Sequence, residues 1–193
     1  MSDLQRQAVA LVHDRGYERR ETPFVLASGL TSRDYIDGKR AVERGDSLML
    51  VSRAVIELAL QGGITFDAVG GLTMGADAIA HGVAIAANCS WFSVRKERKS
   101  HGLDQWIEGY RLQPGNRVLL VDDVVTSGES IQLAYKRVVD TGATVTGVIP
   151  MVDRGDQGAP WFAEKKIPYI PLMTYRDLEI EAVGGQKFAT SAG

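Results

Sequence analysis

The sequence predicts an α/β fold in which a mainly parallel sheet of five strands is flanked by helices. Strands and helices alternate over residues 64–173, an arrangement typical of a doubly wound sheet. The predicted strands are short, apolar and rich in β-branched residues, as expected for strands buried on both faces. At 193 residues the chain is long enough for one full domain, and little room is left for a second.

The elements follow one another in a regular order. Strands are predicted at 68–72, 91–95, 118–121, 145–151 and 167–173, and helices at 46–60, 76–87, 129–140 and 159–165. Residues 1–40 are predicted to form a helix and two short strands, at 24–27 and 35–37, that make a small hood over the core. Residues 96–113 are polar and mostly aperiodic, which predicts a flexible loop.

Composition argues against several classes of function. The chain has 22 basic and 24 acidic residues, so no basic excess favours nucleic acid or an anionic membrane as a partner. No apolar run approaches the roughly 20 residues of a membrane-spanning helix, and the N-terminus is too polar for a signal peptide. Cys89 is the only cysteine, which excludes an internal disulfide. We therefore expect a cytoplasmic protein.

The most informative segment is 118–130, where an apolar strand is followed by Asp122 and Asp123 and then by a turn of small residues that opens a helix. Carboxyl ends of strands in open α/β sheets are where ligands bind. The backbone N–H groups and hydroxyls of residues 126–130 lie at a helix N-terminus, which suits a phosphate. The segment predicts a site for a phosphorylated sugar, although such a turn is also typical of ordinary helix capping.

Two further segments have the chemistry of an anion site. Glycines at 70, 71 and 75 would let backbone N–H groups approach a bulky anion, or would merely permit a tight turn. Residues 95–101 hold four cations and a histidine. That run is either a solvated surface or a basic loop that closes over a pyrophosphate and excludes water.

Residues 118–130 resemble the phosphoribosyl pyrophosphate (PRPP) signature of the type I phosphoribosyltransferases. Segments 94–102 with 107–109, 24–37 and 152–154 are similar to those of the orotate phosphoribosyltransferases, and the match keeps the family order from residue 24 to residue 154. Ala27 departs from the pattern, because some members carry a lysine there, and the loop after His101 is less glycine-rich than in many relatives.

The resemblance implies a type I phosphoribosyltransferase fold and a role for each matching residue. The acid pair would hold the ribose hydroxyls, residues 126–130 the 5-phosphate, the loop around Thr73 the pyrophosphate, and Thr126 and Arg154 the orotate. A cis peptide bond near Leu72-Thr73 is also implied. The implied PRPP-binding residues are Thr73, Asp122, Asp123, Val124, Val125, Thr126, Ser127, Gly128, Glu129 and Ser130, and the implied catalytic residues are Arg95, Lys96, Lys99 and His101.

The reaction that the resemblance implies is transfer of ribose 5-phosphate from PRPP to orotate, which gives orotidine 5-monophosphate and pyrophosphate in pyrimidine biosynthesis. Mg²⁺ would arrive on PRPP, with no direct protein ligand, and a homodimer would share the basic loop between subunits. Two alternatives stay open from the residues: a phosphoribosyltransferase for a purine or another base, and a PRPP-sensing regulator that does no chemistry.

Overall fold

The computed structural model describes residues 1–25, 29, 31–98 and 106–183. Its elements are α1 (Asp3–Arg15), β1 (Tyr17–Val25), β2 (Thr31–Ile36), α2 (Gly38–Ala41), α3 (Gly45–Gln61), β3 (Ala68–Leu72), α4 (Asp77–Ala87), β4 (Ser90–Val94), β5 (Ile107–Gly109), β6 (Arg117–Val125), α5 (Glu129–Val139), β7 (Thr144–Asp153), α6 (Gly158–Glu164) and β8 (Met173–Thr174).

The main sheet has the strand order β5-β4-β3-β6-β7-β8. Strands β4, β3, β6, β7 and β8 pair in parallel, which confirms the mainly parallel sheet, and β5 runs antiparallel to β4 at one edge. After β3 the chain moves to one side to form β4 and then returns to the other side to form β6. Such a reversal of direction opens a crevice at the carboxyl ends of the two strands, where α/β proteins bind ligands.

The strands are buried on both faces, and alternation along β6 shows how. Leu119 and Val121 pack into a cluster with residues of α1, α3 and α4, whereas Val118 and Leu120 pack into a second cluster with residues of α5 and α6. All four side chains are fully buried. This two-sided burial explains why the strand is read from the sequence as an unbroken apolar run rather than an alternating one.

Two elements were not predicted, and one is much shorter than predicted. Strand β5 lies inside the segment predicted to be an aperiodic loop, where Ile107 is buried and pairs with Val94. At the other edge, β8 has only two residues, although residues 167–173 were predicted as a strand. Pro168 and Pro171 lack the N–H that a ladder requires, so this segment follows β7 through separate hydrogen bonds. The short helix α2 was not predicted.

Strands β1 and β2 form a separate antiparallel hairpin, called the hood hairpin below. Both strands are longer than the predicted 24–27 and 35–37. Most of β1 is exposed and lacks the apolar alternation by which a strand is recognised in a sequence, so its first part was not predicted. Residues 26 and 27 lie outside the described residues. Within the described ranges no helix is both long enough and apolar enough to cross a membrane.

Candidate active site

Asp122 and Asp123 lie inside β6, near its C-terminal end, and not after the strand as predicted. The reason is that β7 extends to Asp153, so β6 keeps a ladder partner as far as Val125. Asp122 is 5% exposed, and this burial, together with the neighbouring Asp123, raises the pKa of its carboxyl to about 8. Asp123 is less buried, and its Oδ1 accepts a hydrogen bond of 2.8 Å from the backbone N–H of Val124.

Lys39 is a site residue that the sequence prediction missed. Its Nζ lies 3.3 Å from Oδ2 of Asp123, and this ion pair raises the pKa of the Lys39 ammonium. The pair joins residues 84 positions apart, which sequence spacing does not indicate. One local signal was available: Asp37 caps α2 by accepting from the N–H of Arg40, so a helix start carrying Lys39 could have been found there.

The turn after β6 lines a cavity of about 280 Å³. Gly128 has φ of 80°, a left-handed conformation that glycine adopts without strain, and α5 begins directly after it. The cavity brings together the predicted phosphate turn, one acid and one cation of the basic segment. Its lining includes Leu72, Lys96, Asp122, Val124, Val125, Thr126, Ser127, Gly128, Glu129 and Ser130.

A second cavity, of about 230 Å³, adjoins the first. It is lined by residues of β2 and α2 on one side and of β6 and the end of β7 on the other, and it shares Val124 and Thr126 with the first cavity. Its charged lining residues are Asp37, Lys39, Asp123 and Arg154. The structure therefore places Thr126 and Arg154 together, as the prediction of a base site requires, at one end of the phosphate cavity.

Arg154 is 1% exposed and connects the core to the hood hairpin. Its Nη1 donates a hydrogen bond of 2.7 Å to the backbone carbonyl of Asp34, and its Nη2 lies 3.5 Å from Oγ of Ser32. Burial lowers the pKa of the guanidinium, and Nε has no hydrogen-bond partner among the described residues. The backbone is fixed as well, because the N–H of Arg154 donates to the carbonyl of Val125.

The turn that carries Arg154 is shaped by a buried acid. Oδ1 of Asp153 accepts from the N–H groups of Gly155 and Asp156, each at 3.1 Å. Oδ2 of Asp153 accepts from the Tyr169 hydroxyl at 2.9 Å, and burial raises the pKa of that phenol. These contacts fix the direction in which the chain leaves β7 and hence the position of the arginine.

The glycine-rich turn after β3 lies directly against the acid pair. A Cβ on Gly75 would lie 2.5 Å from Oδ1 of Asp123 and 2.8 Å from Oδ1 of Asp122, so only glycine leaves this space open. The cis peptide bond is Thr73-Met74, one bond later than expected. Asp77 holds the turn, because its carboxylate accepts from the hydroxyl of Thr73 at 2.7 Å.

The basic segment is described only in part. Arg95 forms an ion pair with Glu108, with Nη1 3.5 Å from Oε1, and its backbone N–H donates to the backbone carbonyl of Trp106. Lys96 lines the phosphate cavity. Lys99 and His101 lie outside the described residues. Their catalytic roles therefore stay predictions.

Comparisons with known proteins agree with this geometry. Residues 41–170 match the phosphoribosyl transferase domain family. The orotate phosphoribosyltransferase of Pyrococcus furiosus is 40% identical over 162 residues, which cover 83% of this chain and 87% of that protein. The orotate phosphoribosyltransferase of Pyrococcus abyssi is 38% identical over 185 residues, which cover 95% of this chain and 100% of that protein.

A solved structure gives the same result. Orotate phosphoribosyltransferase of Mycobacterium tuberculosis H37Rv, crystallised in complex with PRPP, superposes with a TM-score of 0.76 at 30% identity, covering 92% of this chain and 99% of that chain. The chain therefore belongs to the orotate phosphoribosyltransferase family, within the phosphoribosyl transferase domain proteins.

Proposed function

We propose that this protein transfers the 5-phosphoribosyl group from PRPP to orotate, releasing pyrophosphate, as a step of pyrimidine biosynthesis. The observation that carries the proposal is the pair of adjoining cavities that share Val124 and Thr126. One cavity has a phosphate turn and a buried acid, and the other has two cations for an anionic base. A ligand pair that meets at the shared wall would bring a sugar carbon and a ring nitrogen together.

The acid pair suits the ribose hydroxyls. Asp122 keeps a proton at neutral pH because its pKa is raised to about 8, so its carboxyl can both donate and accept. Asp123 offers acceptor oxygens on two sides. The N–H groups and hydroxyls of residues 126–130 would bind the 5-phosphate at the N-terminus of α5. These contacts hold the sugar while leaving its reactive carbon facing the second cavity.

Chemistry at that carbon needs positioning and charge stabilisation rather than a covalent intermediate with the protein. The ring nitrogen of orotate gives up its proton and forms a bond to the sugar carbon, and the bond from that carbon to the diphosphate oxygen breaks. The electron pair of the broken bond leaves with pyrophosphate, which can take up the released proton. The transition state resembles a sugar cation, which a site closed to water protects. Lys96 and the proposed contributions of Arg95, Lys99 and His101 would stabilise the charge of the leaving group.

Mg²⁺ is the cofactor we propose, brought into the site on PRPP. Among the residues that the structure describes, no group of three or more His, Cys, Asp or Glu side chains could hold a metal ion, so the hard oxygen ligands that Mg²⁺ prefers would come from PRPP itself. When bound, Mg²⁺ neutralises diphosphate charge. A homodimer that shares the basic loop, and a location in the cytoplasm, belong to the same proposal.

A panel of bases tests the function. Initial rates are measured with PRPP and Mg²⁺ and with orotate, adenine, guanine or xanthine as the acceptor. We expect product with orotate alone, because the second cavity is lined by the cations Lys39 and Arg154 and orotate is an anion. Product with a purine and none with orotate would contradict the proposal, as would PRPP binding without turnover of any base.

A further inference from the structure

Lys39 lines the second cavity beside Arg154, and its Nζ lies 3.3 Å from Oδ2 of Asp123. The two carboxylate oxygens of Asp123 face different parts of the site. Oδ1 accepts from the N–H of Val124 and faces the turn of Gly75, whereas Oδ2 pairs with Nζ of Lys39 in the cavity that Arg154 lines. Lys39 is therefore on the side of the base and opposite the diphosphate turn.

The backbone of α2 delivers Lys39 to this position. A Cβ on Gly38 would lie 2.8 Å from Cβ of Asp123, so α2 approaches the acid pair as closely as a glycine permits. The N–H of Asp37 donates to the carbonyl of Gly16, and the side chain of Asp37 caps the helix. The Lys39 side chain itself is 57% exposed, so its ammonium can turn within the cavity while its backbone stays fixed.

Arg154 uses part of its guanidinium to hold the hood hairpin, so a second cation would help to bind an anionic base. Its guanidinium is buried and donates to the carbonyl of Asp34 in the hood hairpin, so part of its donor capacity serves the fold. Lys39 has three ammonium donors, of which one is used by Asp123 in the described structure. A ribose hydroxyl that donates to Oδ2 of Asp123 would replace this contact and leave the ammonium facing the base.

We propose that Lys39 is a specificity-determining residue whose ammonium pairs with the carboxylate of an anionic pyrimidine base. Resting on the proposed function, this assignment adds a base contact to Arg154 and Thr126. In the free protein Asp123 holds Lys39 at the entrance of the base cavity. When the sugar binds, Asp123 exchanges Lys39 for a hydroxyl and Lys39 pairs with the base.

The test compares Lys39→Met, Lys39→Arg and the control Arg40→Met, which removes an exposed charge from the same helix. Rates are measured with orotate varied at saturating PRPP and the reverse. We expect Lys39→Met to raise the KM for orotate by about tenfold, the loss of one charge-assisted hydrogen bond, with a much smaller effect on the KM for PRPP. Lys39→Arg should restore most of the orotate affinity, and Arg40→Met should match the wild type.

A neutral isostere separates charge recognition from general damage to the site. The carboxamide of orotate is used as a competitive inhibitor, and its inhibition constant should be the same in wild type and Lys39→Met. An unchanged KM for orotate in Lys39→Met, or an equal rise in both KM values, would overturn the inference alone. A wild-type protein with no orotate turnover would overturn both the proposed function and the inference, before any variant is made.

Discussion

The two acids at the end of β6 are adjacent in sequence and differ in environment. Asp122 is buried and its pKa is raised, whereas Asp123 pairs with Lys39. A carboxyl that keeps its proton near neutral pH and a carboxylate with an ion-pair partner are both suited to binding hydroxyls. We infer that the pair holds the ribose and that neither acid serves as a general base.

Asp122→Asn tests the state of the buried acid. The folded carboxyl holds its proton up to about pH 8, while an unperturbed carboxyl ionises near 3.8, so the stability that the proton provides is full below pH 4 and is lost as the pH rises through 8. Asparagine does not ionise. Above pH 8 the variant should gain at least about 1.4 kcal/mol in stability over the wild type, the equivalent of one pKa unit.

Thermal melts from pH 4 to pH 9 measure this difference, with Glu21→Gln, an exposed acid of β1, as the control. The gap in Tm between Asp122→Asn and wild type should widen with pH and then level off, and the control should show no such trend. A gap that stays constant with pH would mean that Asp122 is ionised in the folded protein at neutral pH.

At the residue scale, site residues can be predicted from the sequence where they are close together along the chain. Asp122, Asp123 and residues 126–130 are neighbours in one segment, so their spacing alone indicates a ligand site. Lys39 reaches the acid pair only through the fold, across 84 positions, and its neighbours in sequence give no reason to expect an anionic partner. The attachment of Arg154 to a backbone carbonyl of the hood hairpin was equally invisible, because it depends on tertiary contact.

At the scale of elements, the short helix α2 packs against the acid pair and forms one wall of the second cavity. Its first residue, Gly38, packs against Asp123, Val124 and Met151. Gly38→Ala should push the helix away, destabilise the fold by about 1–3 kcal/mol and raise the KM for PRPP, because overpacking displaces backbone.

Gly45→Ala is the matched control at the start of α3, where an added Cβ would have nothing within 4 Å. That variant should be as active as the wild type and no less stable. Chemical denaturation and steady-state kinetics on both variants measure these effects. Equal behaviour of the two alanine variants would show that the close approach of α2 does not position the site.

The elements that sequence patterns missed share a physical cause. Strand β5 is three residues long and has one buried side chain, Ile107. A single apolar residue in a polar segment gives no alternation from which a strand could be predicted. Helix α2 has four residues, too few for helical periodicity. In contrast, strand β3 is buried at all five positions, and helix α5 has 11 residues with its buried side chains at helical spacing, so both were placed within a residue of their observed ends.

At the scale of the molecule, the strand order decides where the site lies. Strands β3 and β6 are neighbours in the sheet but are separated in sequence by β4 and β5. The turns that follow β3 and β6 therefore lead from adjacent strand ends, and the glycine-rich turn touches the acid pair. Alternating strands and helices predicted the sheet, and the family resemblance implied that both turns bind PRPP. The strand order adds the physical reason that the two turns lie side by side.

A mixing experiment tests the proposed shared loop. Lys99→Ala and Asp123→Asn should each be nearly inactive, because one lacks a loop cation and the other a ribose contact. If a homodimer exchanges loops, subunits of the two variants, dissociated and reassociated together, should recover about one quarter of the wild-type activity, since half of the dimers are mixed and each has one intact site. Mixtures as inactive as their components would show that each loop serves its own subunit.

Phosphoribosyl transfer can be followed directly in the phosphorus-31 spectrum of PRPP during incubation with Mg²⁺, orotate and the wild-type protein. We expect the diphosphate resonances of PRPP to decrease as free pyrophosphate appears, and the 5-phosphate resonance of PRPP to be replaced, in equal amount, by that of the nucleotide, with one orotate consumed for each pyrophosphate. PRPP that stays intact in the presence of orotate, or pyrophosphate released without loss of orotate, would contradict the proposed function.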